Sequence, residues 1–139
     1  MKKLLLFLFV GLLLTGCGNG VVDEAREAER IRTLDRYMNS IETTASTYSI
    51  LNPEIKDIKI CVGKGPATTD CIIDATEAGI KSRESAAEKI VNHAGEPVIC
   101  ESAQYDTKTY HITITNCTVG DDTKNVYSGN TTDGIKKVK

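Results

Sequence analysis

Tryptophan is absent, and the only phenylalanines, Phe7 and Phe9, lie in the first ten residues of a 139-residue chain. Past residue 16 the aromatic side chains are five tyrosines, Tyr37, Tyr48, Tyr105, Tyr110 and Tyr127, so a core there must be built from Ile, Val and Ala. The shortage also argues against carbohydrate cleavage, which needs an aromatic platform to hold sugar faces beside two carboxylates. A basic excess is missing too: the net charge is -2, and no positive field exists to gather nucleic acid. No Gly-x-Ser-x-Gly is present, which removes the usual serine-hydrolase elbow. Gly63-Lys64-Gly65-Pro66 is too short for a phosphate-binding loop and runs into a proline instead of a helix. Neither C-x-x-C spacing nor a histidine at a ligand interval occurs, so no metal site, no cofactor and no dithiol catalysis are predicted. His93 and His111 lack a nearby nucleophile, and no catalytic residue is assigned to either.

What is present begins at the first residue. Lys2 and Lys3 precede an apolar run from Leu4 to Leu14, 11 residues where a spanning helix needs about 20. The run is followed by Leu14-Thr15-Gly16-Cys17, small residues before a thiol. This order of charge, apolar run, small residues and Cys resembles the lipobox signal peptide of bacterial lipoproteins. The resemblance covers residues 1–17. It implies cleavage before Cys17, palmitate-type acylation of that cysteine, and a membrane held through two or three acyl chains, far beyond the marginal grip of one. It further implies that Gly18, where Asp would retain the protein in the inner membrane, directs it to the periplasmic face of the outer membrane in a diderm host. Cleavage leaves 123 residues with a net charge of -4, enough for a single domain.

Four cysteines then remain, Cys61, Cys71, Cys100 and Cys117, an even number in an exported chain and hence a disulfide framework with three possible connectivities. Sequential pairing, Cys61 with Cys71 and Cys100 with Cys117, is preferred. Each bridge would stabilise the domain by about 3 kcal/mol in the chain-entropy model.

Residues 17–22 are predicted to be the lipidated cysteine and a short tether, with Asp23 as N-cap of an amphipathic helix that runs to about residue 49. Asn52-Pro53 stops it. Ile31, Leu34, Met38, Ile41, Ala45 and Tyr48 alternate spacings of three and four and form one stripe, with Arg30, Arg32, Asp35, Arg36 and Glu42 opposite. At under three heptads the stripe suits packing on the domain's own sheet better than a coiled-coil seam.

Ile58, Ile60 and Val62 alternate with Lys59 and Cys61 as a half-buried strand. Residues 72–94 are predicted to hold a second, short helix, with Ser85 and Glu88 in capping-box register, Ala86, Ala87, Ile90 and Val91 apolar, His93 in the last turn, and Gly95 and Pro97 beyond. Residues 98–105 and 109–117 read as a hairpin with Tyr110, Ile112 and Ile114 on one side and His111, Thr113 and Thr115 on the other. A turn near 106–108 brings Cys100 opposite or within two residues of Cys117, with room for a bulge. Val126 and Tyr127 make one more short strand, and 129–139 reads as a flexible tail ending in Lys136, Lys137 and Lys139. The predicted fold is therefore α+β: a single domain over 23–128, with two helices covering one face of a three- or four-stranded antiparallel sheet stapled by two disulfides.

Two resemblances bear on the mature domain. Cys71-Ile72-Ile73-Asp74-Ala75-Thr76-Glu77-Ala78, following Cys61, resembles the cysteine-pair region of conjugative entry-exclusion lipoproteins over about 18 residues, with shorter cysteine spacing. A long N-terminal helix before strands and a C-terminal disulfide loop is similar to type IV pilin architecture. A lipobox, however, stands where pilins carry a prepilin site. The expected function is non-catalytic: a lipid-anchored envelope protein that binds another envelope protein as an assembly factor, inhibitor, immunity or exclusion protein. The alternatives are a structural lipoprotein joining membrane to wall, or an enzyme acting on peptidoglycan or glycan, with Glu96 and Glu101 as acid and base about 5–9 Å apart. Oligomeric state stays open.

Overall fold

A computed structural model of the chain describes residues 18–77, 88–89 and 96–139. The signal segment 1–16 and Cys17 lie outside the described residues. One helix, α1 (Gly18–Leu51), precedes strands β1 (Ile60–Cys61), β2 (Ile73–Asp74), β3 (Glu88–Lys89), β4 (Val98–Ile99), β5 (Ser102–Asp106), β6 (His111–Val119), β7 (Asp122–Asn130) and β8 (Gly134–Lys137). The chain divides into two compact units, 1–30 and 31–139. Within the first, the described residues are the opening of α1. Its helical backbone starts at Gly18, where a tether was predicted, and overruns the expected cap at Asp23. Ala25, Ala28 and the Glu and Arg residues around them are strong helix formers, and no proline stands between Gly18 and Asp23 to stop the helix spreading back.

In the second unit the predicted stripe is the buried face of α1. Leu34, Met38, Ile41 and Ala45 are in the core, and Ile31 and Tyr48 pack against it half-buried. Each large apolar side chain buried there contributes about 1.5–3 kcal/mol relative to exposure. The helix ends at Leu51, and Asn52 closes it by donating both its backbone N–H (2.9 Å) and its side-chain amide (3.0 Å) to the Tyr48 carbonyl.

The antiparallel sheet runs β4-β6-β7-β8, with β5 also paired to β6. β4 and β5 share one register along β6, from Val98 opposite Val119 to Asp106 opposite His111. Between them both partners gain a residue. The inward side chains are Val98 and Cys100 before the break and Ala103 and Tyr105 after it, matched on β6 by Val119 and Cys117, then Ile114 and Ile112. Asn116 supplies the extra residue on β6 with φ +50°, a left-handed conformation that Asn tolerates. The Glu101 N–H is shared between the Thr115 and Asn116 carbonyls (3.0 and 3.3 Å), and the Asn116 N–H goes to Ser128 Oγ at 2.9 Å. A bulge on one strand alone would have turned one cysteine outward. With both strands switching face together, Cys100 and Cys117 meet on the inner face.

The turn from β6 to β7 has Gly120 at its first position with φ +64°, as a two-residue hairpin turn requires. β7 and β8 pair through Tyr127–Lys137, Ser128–Lys136, Gly129–Ile135 and Asn130–Gly134. Residues 129–139 are thus largely strand and turn, not the predicted tail. The Asn130 side chain accepts from the Thr132 and Asp133 N–H groups (2.9 and 2.7 Å), folding the chain back, and Val138 N–H reaches the Val126 carbonyl at 2.8 Å. Gly129 permits this approach: a Cβ there would strike the Gly134 carbonyl and lie 2.8 Å from Ile135 Cα.

The other sheet is parallel, ordered β1-β2-β3. It replaces part of the predicted second helix, since Ile73–Asp74 and Glu88–Lys89 pair with each other as strands. Residues 78–87 and 90–95 of that prediction, including Ser85, Ala86, Ala87, Ile90, Val91, His93 and Gly95, lie outside the described residues. Ile72 and Ile73 are β-branched, and the neighbouring backbone offers partners: Ile72 N–H to Lys59 (2.9 Å), Ala75 N–H to Cys61 (2.9 Å) and Glu77 N–H to Gly63 (2.8 Å).

Candidate partner-binding surface

Both cysteine pairs are at disulfide distance in sequential order. Cys61 and Cys71 have Cα atoms 5.9 Å apart, Cys100 and Cys117 4.0 Å. Cys100 and Cys117 belong to the core, whereas Cys61 is half-buried on β1. Glu96 and Glu101, the candidate acid and base, are both exposed and sit at the two ends of β4. Glu96 lies against Gly120 in the β6–β7 turn, while Glu101 accepts a 2.6 Å hydrogen bond from the Asn116 side chain at the bulge. His111 is exposed on the polar face of β6, opposite Asp106. Lys136, Lys137 and Lys139 are exposed on and just beyond β8. Among the described residues, no cluster of three or more His, Cys, Asp or Glu is placed to hold a metal, and no helix is long and apolar enough to cross a membrane.

A buried polar group lies beside β2. Asp74 is fully buried and accepts from the Thr76 hydroxyl (2.9 Å) and N–H (3.3 Å). Tyr37, on α1, donates its hydroxyl to the Ala75 carbonyl at 2.6 Å. Burial, with Asp74 adding to it, pushes the Tyr37 hydroxyl well above the usual phenol range, so it stays a donor. This group ties the helix to the parallel sheet and is shut off from solvent. Tyr37 falls outside the predicted stripe but beside Met38, a position at which a tyrosine reads as easily polar as apolar.

Of the exposed large apolar residues among those described, Val138 follows β8 and the others lie at the end of α1 and in the β5–β6 turn. Ile50 and Leu51 are 74% and 73% exposed at the end of α1, and Tyr110 is 55% exposed in the β5–β6 turn. With Ser49, Pro53, Ile55, Lys56 and Thr107, Ile50 and Tyr110 line an open cavity of about 350 Å³. Local chemistry sets this geometry. Asp106 receives the Lys108 N–H (2.8 Å) and Thr109 N–H (3.4 Å) on its carboxylate, and its carbonyl accepts from the Tyr110 N–H at 2.8 Å. The Lys108 backbone donor foremost holds the Asp106 carboxyl below its ordinary range. That four-residue loop ends on a residue with φ +63°, and the residue is Tyr110. Such a conformation costs a side-chain-bearing residue about 1–2 kcal/mol, where Gly or Asn would hold it readily. The alternation rule had put Tyr110 beside Ile112 and Ile114, but the turn takes it out of the strand, and its ring faces water.

Compared with protein-family models, with curated proteins and with solved structures, the chain matches none.

Proposed function

We propose that this is a lipid-anchored protein of the periplasmic face of the outer membrane that acts without catalysis, by binding another envelope protein as an assembly factor, inhibitor, immunity or exclusion protein. The observation that carries the reading is the apolar surface where Ile50 and Tyr110 share a cavity, with Leu51 exposed next to Ile50 in the chain and Tyr110 held out to solvent by a turn that strains it. A strained, solvent-facing aromatic does nothing for the core, so its use is to be sought outside the chain. Tyrosine is also the residue type most suited to anchoring a protein contact, with a large rigid face and a polar tip.

The chain enters the second unit at Ile31, and the helix then rises about 30 Å at ~1.5 Å per residue before it reaches Leu51. Ile50 and Leu51 therefore lie at the end of this unit's helix opposite Ile31.

Two experiments divide the proposal. Cys17→Ser should move the protein from the membrane to the soluble fraction, and unchanged membrane fractionation would contradict the anchor. Affinity capture of the full chain from crosslinked native envelopes should return one stoichiometric protein partner. Recovery of wall or lipid material alone would favour the membrane-to-wall or enzymatic alternatives instead.

A further inference from the structure

We propose that Cys61 is a thiol-exchange site: the Cys61–Cys71 bridge opens to external thiols in the folded protein, through attack on the Cys61 sulfur, while Cys100–Cys117 stays closed. The two bridges differ in what surrounds them. Cys100 and Cys117 are 3% and 0% exposed and lie inside the continuous register of β4, β5 and β6. Cys61 is half-buried on β1, the outer strand of the parallel sheet, and Cys71 is buried behind it. The nine residues between them form a loop in which Ala67 alone is buried.

Access therefore singles out one sulfur of four, and exposed bridges are the ones that exchange. An incoming thiolate puts its electron pair into a new bond to Cys61 Sγ. The Cys61–Cys71 bond breaks, and its electrons leave on Cys71 Sγ as a thiolate. Thr68 Oγ1 lies 3.1 Å from that sulfur and 3.6 Å from Cys61 Sγ, and its proton, donated to Asp70 while the bridge is closed, has to turn from that carboxylate to reach the departing thiolate. A second external thiol then resolves the mixed disulfide. Two thiols are thereby oxidised to one disulfide as the bridge is reduced to two cysteines.

Opening the bridge does not require the fold to come apart. Lys59 still holds Asp70 at 2.5 Å, and the backbone bonds from Ile72, Ala75 and Glu77 to the β1 segment remain. The site is independent of the apolar surface and of any partner.

The test uses the full-length chain in nonionic detergent. Free thiols are first blocked with N-ethylmaleimide, the protein is exposed to reduced glutathione without denaturant, new thiols are trapped with iodoacetamide, and peptides are mapped by mass. The expected result is a glutathione adduct on Cys61 with alkylated Cys71, appearing about tenfold or more faster than any change at Cys100 or Cys117. An adduct on Cys71, modification of Cys100 and Cys117 at a similar rate, or no reaction until the tyrosine near-ultraviolet signal collapses would each overturn the assignment.

Discussion

Between Val98 and Lys137 the chain forms antiparallel strands up to nine residues long, whereas β1, β2 and β3 contribute two residues each to a parallel sheet. One disulfide belongs to each region, and the settings differ. Cys100–Cys117 joins strands already held by ladder bonds on both sides and fills space in the core. Cys61–Cys71 closes a loop between parallel segments that are also joined by the backbone bonds from Ile72, Ala75 and Glu77. Its neighbour Asp70 is held by Lys59 and Thr68, in that order of effect, which lowers its carboxyl to about 2. Antiparallel pairing with short turns is the cheaper structure to close, so its bridge adds to an existing order. The parallel pair has a long connection and a small ladder, and there the bridge chiefly pins the loop while backbone bonds hold the two segments together.

The largest effects are expected from deleting each disulfide. Cys100→Ala with Cys117→Ala should destabilise the domain by about 2–5 kcal/mol in urea titration, since loop closure and buried packing are lost together. Cys61→Ala with Cys71→Ala should cost less and loosen the parallel region first. Equal losses from both pairs would mean that the two regions are not different in kind. Gly129→Ala comes next. Its methyl would meet β8 backbone, and about 1–3 kcal/mol of destabilisation is expected from overpacking, read as a lower urea midpoint. Tyr110→Gly should act in the opposite sense, stabilising by about 1 kcal/mol as the left-handed strain is relieved. A loss of stability would show that the ring packs usefully and is not held out for a partner.

The smallest effect is in pH. The folded carboxyl of Asp70 sits at about 2, below its ordinary value of 3.8, so its contribution is complete above pH 4 and is lost as pH falls toward 2. Hydrogen exchange of amides in 62–72 should speed up across that window while β6 amides are unaffected. Lys59→Met should abolish the difference.

Much of the fold was legible from local pattern. The helix stripe was set by three-four spacing, the hairpin by alternation, and the second disulfide by the hairpin's own register. The parallel sheet was not, because a two-residue strand such as Ile73–Asp74 carries no period, and its partners come from distant chain segments. β8 was hidden by its composition: Gly134-Ile135-Lys136-Lys137 offers one apolar residue, and the backbone turn at Asn130 places it. At the candidate site, Ile50 and Leu51 read as helix-end residues, and only the β5–β6 turn, 60 residues on, shows that Tyr110 joins Ile50 at the same cavity.

The surface of Ile50 and Tyr110, with Leu51 next to Ile50, is proposed to receive a protein. A photo-crosslinking amino acid placed at Leu51 of the full chain in native envelopes tests it most directly, with the same group at Gln104, exposed on β5, as comparison. A single discrete protein adduct from position 51, absent from position 104, is the expected result. The same adducts from both positions, or none from position 51, would contradict it.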